Sequence, residues 1–176
     1  MKILIVNDAS SPATGLRPVA DSAWRPDRRP LFPAADNKGF QLRPAIRISR
    51  LGKGIAAKFA ARYYDAYVPA LVDSRAADPA GPAAACIADD AVMLGPWIPI
   101  ADADGAVLTL PDGTTVPAAV GSAAIDAIIA AMPADVTFKT GDVIILPHTY
   151  TIIHPVPGDT VCVKLNGAVA LQFNTR

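Results

Sequence analysis

The residue types able to do chemistry are few and scattered along this chain. Its two histidines, His148 and His154, stand six apart near the C-terminus. On an extended segment that even spacing places both on one face, roughly 20 Å apart at a rise of ~3.3 Å per residue, too far to share a metal ion. Asp89-Asp90 and the Asp102-Ala-Asp-Gly run offer carboxylates to a hard cation such as Ca²⁺. The glycine comes too early for a calcium loop, however, and no glutamate closes it, so both runs read as polar turns. Cys86 lies in an alanine-rich stretch with no flanking base, which describes an inert thiol rather than a nucleophile. Cys86 and Cys162 show no Cys-x-x-Cys spacing and read as free thiols of a reducing compartment. Ser10, Ser11 and Ser49 lack a Gly-x-Ser-x-Gly context. Gly52-Lys53-Gly54 is half a phosphate loop at most, and reads as a turn.

The elements that would position any site are clearer. Met1–Val6 reads as a buried strand, and Gln41–Arg50 as a second strand that Pro44 demotes to an edge or a bulge. Residues 10–38 and 76–99 are rich in proline and alanine without a sustained period, and read as long connections. After the turn at 52–54, Ile55, Phe59 and Tyr63 form an i, i+4, i+8 stripe that predicts a helix over 55–64. Tyr67–Val72 is a strand candidate interrupted by Pro69. Val107–Leu110, Pro111-Asp112-Gly113 and Thr114–Val116 predict a hairpin. Ser122 is placed to cap a helix over 122–132, whose Ile125, Ile128, Ile129 and Met132 share one face and which Pro133 ends. Val143–Leu146 reads as a buried strand. The alternating segments around Asn166-Gly167 predict a second hairpin. The expected fold class is a strand-rich α+β domain over 1–176 with two short helices.

Three motifs in order carry a resemblance. Ile48-Ser-Arg-Leu-Gly-Lys53 with Lys58-Phe-Ala-Ala-Arg-Tyr-Tyr-Asp65, then Phe138-Lys-Thr-Gly-Asp-Val-Ile144, then Gly158-Asp159 with the closing hairpin, are similar to the catalytic domain of the fumarylacetoacetate hydrolase superfamily. The resemblance implies a mixed β-sandwich roll. It also implies Mg²⁺- or Mn²⁺-assisted hydrolysis, hydration or decarboxylation of small 2-oxo or diketo acids.

In that superfamily the ion sits on a Glu-x-Glu pair and an aspartate. Counted without gaps from Arg47 and Asp65, those positions are Gln41, Arg43 and Val72, with Asp73 one residue later. An amide, a guanidinium and a valine cannot replace three anions, because Arg has no acceptor and repels a cation. The superfamily's Thr-Gly-Thr-Pro loop is replaced by Leu146-Pro147-His148-Thr149, and its N-terminal His-x-x-Glu has no match. The expectation is therefore a non-catalytic relative, without cofactor, in which Gln41 and Arg43 bind a small carboxylate. The alternative is a metal-dependent enzyme on relocated ligands drawn from Asp65, Asp73, Asp78, Asp89 and Asp90.

Sixteen basic residues balance sixteen acidic ones, which gives no reason to expect nucleic acid. The Arg25–Arg29 cluster, with Asp27 inside it, reads as a solvated loop. No apolar run approaches the ~18–20 residues of a membrane span. The apolar start Ile3–Val6 is short of the about 7–15 residues of a signal core, so a cytoplasmic protein is expected. A chain that is 52% hydrophobic and 18% charged has few residues to solvate its surface, which favours a homodimer.

Overall fold

The computed structural model describes residues 1–26, 39–118 and 120–175. The chain opens with β1 (Ile3–Ile5), β2 (Arg17–Val19) and β3 (Trp24–Pro26), then the long β4 (Phe40–Ile48). The short β5 (Gly52–Lys53) and α1 (Ala57–Ala60) lead into β6 (Tyr64–Asp73), which runs directly into α2 (Ser74–Ala77). Next come β7 (Val92–Leu94), β8 (Ile98–Pro99), α3 (Ile100–Ala103), and the hairpin of β9 (Val107–Thr109) and β10 (Thr115–Pro117). The last part holds α4 (Ser122–Ala130), β11 (Thr137–Phe138), β12 (Val143–Ile145), β13 (Thr151–Ile153), β14 (Thr160–Leu165) and β15 (Ala168–Asn174). This is the expected strand-rich α+β class.

A nine-stranded sheet carries the order β2-β1-β12-β4-β6-β7-β3, with β13 also pairing β4 and β8 also pairing β6. A four-stranded sheet, β10-β9-β14-β15, packs beside it. β4 and β6 form the spine, antiparallel from Phe40↔Asp73 to Arg47↔Ala66, with a bulge before Ile48↔Tyr64. Alternation along them feeds both faces of the sheet. One face buries Ala45, Val68, Ala70 and Val72 with Ile3, Ile5, Val143 and Ile145. The other buries Ile46 and Ile48 under Ile125, Ile128 and Ile129 of α4, and Phe40, Leu42 and Leu71 against the second sheet.

Pro44 is therefore central, not on an edge, and Pro69 does not interrupt β6. The two prolines oppose each other across β4 and β6. Opposed residues of an antiparallel pair exchange either both hydrogen bonds or neither, so two residues without N–H groups fit only the second class. Their missing donors then fall on the outer sides. There Leu146 N donates to Pro44 O at 2.9 Å, and Gly95 N donates to Pro69 O at 3.4 Å. The Leu146 carbonyl, which an N–H at position 44 would have served, accepts instead from Arg43 Nε at 2.8 Å.

The helix expected over 55–64 is a single turn, Ala57–Ala60. Ile55 is buried and Tyr63 packs against the same core, but Phe59 is 41% exposed, so the predicted stripe does not face the core as one. Tyr64 has already joined β6 opposite Ile48. Cross-strand pairing wins over the helical pattern because β4 supplies a partner for these aromatic residues. Four α-helices stand where two were expected, among the described residues. The two additional ones, α2 and α3, are single turns, and α2 exists because the Asp73 carboxylate accepts from Arg75 N. α4 and its buried stripe match expectation, although the residue before its first turn is Gly121 and Ser122 is not the cap. The connections of 10–38 and 76–99 also contain β2, β3, β7 and β8. Residues 27–38, including Asp27 to Arg29 of the basic cluster, lie outside the described residues; Arg25 pairs with Asp90.

Both hairpins form where expected. Asn166 (φ 48°) and Gly167 (φ 81°) occupy the left-handed region that a two-residue turn between β14 and β15 requires. The Gly141-Asp142 motif has an equally local cause. Gly141 turns the chain at φ 89°. Buried Asp142 then receives Lys2 N at 2.7 Å, Lys139 N at 2.8 Å and the Lys2 ammonium at 2.9 Å. It thereby fastens β1 beside β12, parallel in register from Ile3↔Val143.

Burial alone would raise the Asp142 carboxyl, but the Lys2 and Lys139 donors together hold it below the usual carboxylate range. A depressed carboxyl contributes stability that is fully present above its unfolded pKa and lost as pH falls through the folded value. Asp142→Asn should therefore cost roughly 1.5–3 kcal/mol at neutral pH. That deficit should shrink as pH drops below about 4. Urea unfolding across this range checks it, and a pH-independent difference would contradict the charge-based account.

Candidate functional site

The positions singled out in the sequence come together on one face of the spine. Gln41 and Arg43 are two apart on β4 and share that face. Val72 pairs with Gln41 across β4 and β6. Val72 is fully buried in the apolar layer. Asp73, one residue on, receives Arg75 N at 2.9 Å and the Arg75 guanidinium at 3.0 Å.

Gln41 and Arg43 line a cleft of about 470 Å³ with Asn7, Ser74, Ala77, Asp78, Pro79, Pro147 and Thr149. Each wall comes from a different element: Asn7 follows β1, Ser74 to Pro79 are α2 and the loop beyond it, and Pro147 to Thr149 connect β12 to β13. Asn7 and Ser74 escaped the sequence reading. The only local signal for Asn7 was a polar residue ending an apolar strand, and nothing local marks Ser74.

Arg43 is 2% exposed. Its Nε donates to Leu146 O at 2.8 Å, its Nη1 to Asn7 Oδ1 at 2.9 Å, and its Nη2 to Val6 O. All three acceptors are neutral. Among the described residues no carboxylate pairs with this guanidinium. Burial lowers its pKa to about 10, which leaves it charged at neutral pH. A guanidinium has five N–H groups, so two remain after the three bonds above.

The rest of the cleft is also biased toward donors. Thr149 Oγ1 donates to Gln41 Oε1 at 3.4 Å, which turns the Gln41 amide nitrogen free. Asn7 Nδ2 donates to Gly15 O at 3.0 Å, so its oxygen is the atom left for Arg43. The Ser74 hydroxyl is buried with no hydrogen-bond partner. Asp78, an exposed residue, is the one carboxylate lining the cleft among the described residues.

The other candidates do not converge. The His148 ring packs edge-on against Tyr150, with centroids 4.8 Å apart. His154 lies against Gly39, where an added Cβ would come within 2.8 Å of its ring. Asp65 binds Arg47 through two contacts of 2.9 Å, and Asp90 is bound to Arg25. Cys86 is buried and touches Arg17 Nη2 at 3.2 Å. Cys162 is half-buried and free. Among the described residues no three His, Cys, Asp or Glu side chains gather as a metal site. A divalent ion does not fit the donor set of Gln41, Arg43 and Val72, which holds a fixed positive charge and no anion. A second cavity, of about 320 Å³, opens on the opposite face of the sheet between Tyr64, Tyr67, Ile100 and Ile125. Asp104 of the Asp102-Ala-Asp-Gly run lines it, and Gln41 and Arg43 do not.

Removing Arg43 should be felt as a loss of sheet structure. Arg43→Leu strands the Val6 and Leu146 carbonyls inside the protein, at about 1–3 kcal/mol each. Relief from burying a cation offsets part of this. A net loss of about 2–4 kcal/mol is expected from urea midpoints. A variant as stable as wild type would show that the guanidinium is not a component of the sheet.

No protein-family model matches the chain, and no curated protein does. Solved structures do. The chain superposes on 5-carboxymethyl-2-hydroxymuconate delta-isomerase from Mycobacterium smegmatis with a TM-score of 0.76 at 21% identity, over 99% of this chain and 76% of the other. A Yersinia pestis protein provisionally placed in the fumarylacetoacetate hydrolase family matches with a TM-score of 0.73 at 18% identity, over 99% and 92%. Fumarylpyruvate hydrolase from Pseudomonas aeruginosa, solved with Mn²⁺ and pyruvate, matches with a TM-score of 0.70 at 13% identity, over 99% and 89%. The fold is that of the fumarylacetoacetate hydrolase superfamily. No helix among the described residues is long and apolar enough to cross a membrane.

Proposed function

We propose that this chain, on a fumarylacetoacetate hydrolase fold, binds a small carboxylate directly and without a metal ion, and does not turn it over. The observation that carries the reading is Arg43: a buried cation whose partners are all neutral, with two N–H groups left beside an open cleft. Buried charges are ordinarily paired, and here a ligand anion supplies the missing partner. The planar guanidinium fork suits two carboxylate oxygens, and the Gln41 amide nitrogen adds a donor. The structurally similar Pseudomonas aeruginosa hydrolase was solved with Mn²⁺ and pyruvate. In this chain the positive charge of the ion is supplied by the guanidinium.

The competing reading, a metal-dependent hydrolase, hydratase or decarboxylase with relocated ligands, draws its support from the similar structures being enzymes. Its reserve carboxylates are dispersed: Asp65 is held by Arg47, Asp73 by Arg75 and Asp90 by Arg25. We also propose a homodimer. Leu51 (69% exposed) and Ile87 (67%) are large exposed apolar residues that an interface would cover. A monomeric mass from light scattering would remove that part of the proposal.

With EDTA present, pyruvate or oxalate should shift the Arg43 side-chain NMR signals in a saturable way, and Gln41→Leu should weaken the effect several-fold. A spectrum that does not move at millimolar ligand would end the reading. In the same buffer without chelator, millimolar Mg²⁺ or Mn²⁺ should leave the melting temperature unchanged. A rise through binding linkage would instead support the metalloenzyme.

A further inference from the structure

We infer that the ligand of this cleft is a small zwitterion, a molecule of amino-acid type, whose carboxylate meets Arg43 and whose ammonium meets Asp78. The inference rests on the reading of Arg43 as a carboxylate site, and adds the other end of the molecule.

Two opposite charges line the same cleft of about 470 Å³ without forming an ion pair with each other. Arg43 is held on the sheet by its three bonds to Leu146, Asn7 and Val6. Asp78 is exposed and held by fewer bonds. One of its oxygens accepts Ala80 N at 2.9 Å, and its main-chain N–H donates to Ser74 O at 3.0 Å. The loop that follows is clamped by a second arginine: Arg17 Nη1 donates to Pro79 O at 3.1 Å and Gly81 O at 3.0 Å, and Nη2 to Pro82 O at 3.2 Å. At Gly81 an added Cβ would lie 2.1 Å from Arg75 O, so the loop is packed onto α2. Arg17 is thus committed to carbonyls and does not neutralise Asp78.

The fold therefore presents a fixed cation and an anion in one cleft. Water can solvate each, but one molecule carrying both complementary charges satisfies both at once. Other polar atoms of the cleft suit the same ligand. The free Gln41 amide nitrogen donates to a carboxylate beside Arg43. The unpartnered Ser74 hydroxyl offers an acceptor to an ammonium. A simple monocarboxylate leaves Asp78 unanswered, and a dicarboxylate brings a second negative charge toward it, so discrimination is repulsive as well as attractive.

The experiment is a calorimetric or NMR titration of the full chain in EDTA with matched pairs: glycine and acetate, β-alanine and propionate, 4-aminobutyrate and butyrate. The three lengths sample three separations between carboxylate and ammonium. At least one zwitterion should bind roughly fivefold or more tightly than its matched carboxylate, in line with one exposed ion pair. Asp78→Asn keeps the acceptor for Ala80 N and should remove that preference. If carboxylates bind as well as zwitterions at every length, or Asp78→Asn leaves the preference intact, the zwitterion inference is overturned while the carboxylate site stands. If neither series binds, both readings fall.

Discussion

The opposition of Pro44 and Pro69 at the centre of the sheet is the constraint around which the rest is arranged. Two prolines facing each other compel a non-hydrogen-bonded position in the ladder. Each then withholds a donor from the strand on its outer side. On the β12 side that strand is not left short, because the neighbouring residue of β4 bends a guanidinium back onto the Leu146 carbonyl. Backbone pairing that proline cannot make is replaced by a side chain, and the side chain brings a permanent charge into the core.

That substitution links architecture to chemistry. The same guanidinium also donates to Val6 O and Asn7 Oδ1 at the end of β1, so it ties β1, β4 and β12 together at the edge of the cleft. Asp142 fastens the opposite end of the β1–β12 pair through Lys2 and Lys139. The two ends differ in kind. Asp142 is a buried anion with a cation beside it, whereas Arg43 has only dipoles. Neutral acceptors compensate a buried cation only in part, and this imbalance is the basis of the proposed anion site.

Much of the architecture was legible locally. Asn166-Gly167 determines its own turn, because few residues accept the left-handed backbone and those that do are these. The stripe of α4 is buried as its spacing required. Ile55, Phe59 and Tyr63 showed the same period and misled, since the helix stops at Ala60 and Tyr64 meets a strand partner. Pro44 misled for a related reason: a lone proline argues against a central strand, and only the second proline across from it makes the position tolerable.

The sequence by itself determined the strand-rich class, the two hairpins, the α4 stripe, and the presence of an amide and a guanidinium, Gln41 and Arg43, two apart on one strand. These rest on short-range rules: side-chain period, turn conformation and the charge of a side chain. Only the tertiary structure decided what Arg43 touches and what faces it. Asn7, Ser74 with Asp78, and Thr149 reach the cleft from three separate segments, and β1 lies beside β12 only through pairing across more than a hundred residues. Whether a buried arginine is neutralised, hydrogen-bonded to dipoles or left to await an anion depends on those long-range neighbours, because electrostatic compensation is a property of position in space and not of order along the chain.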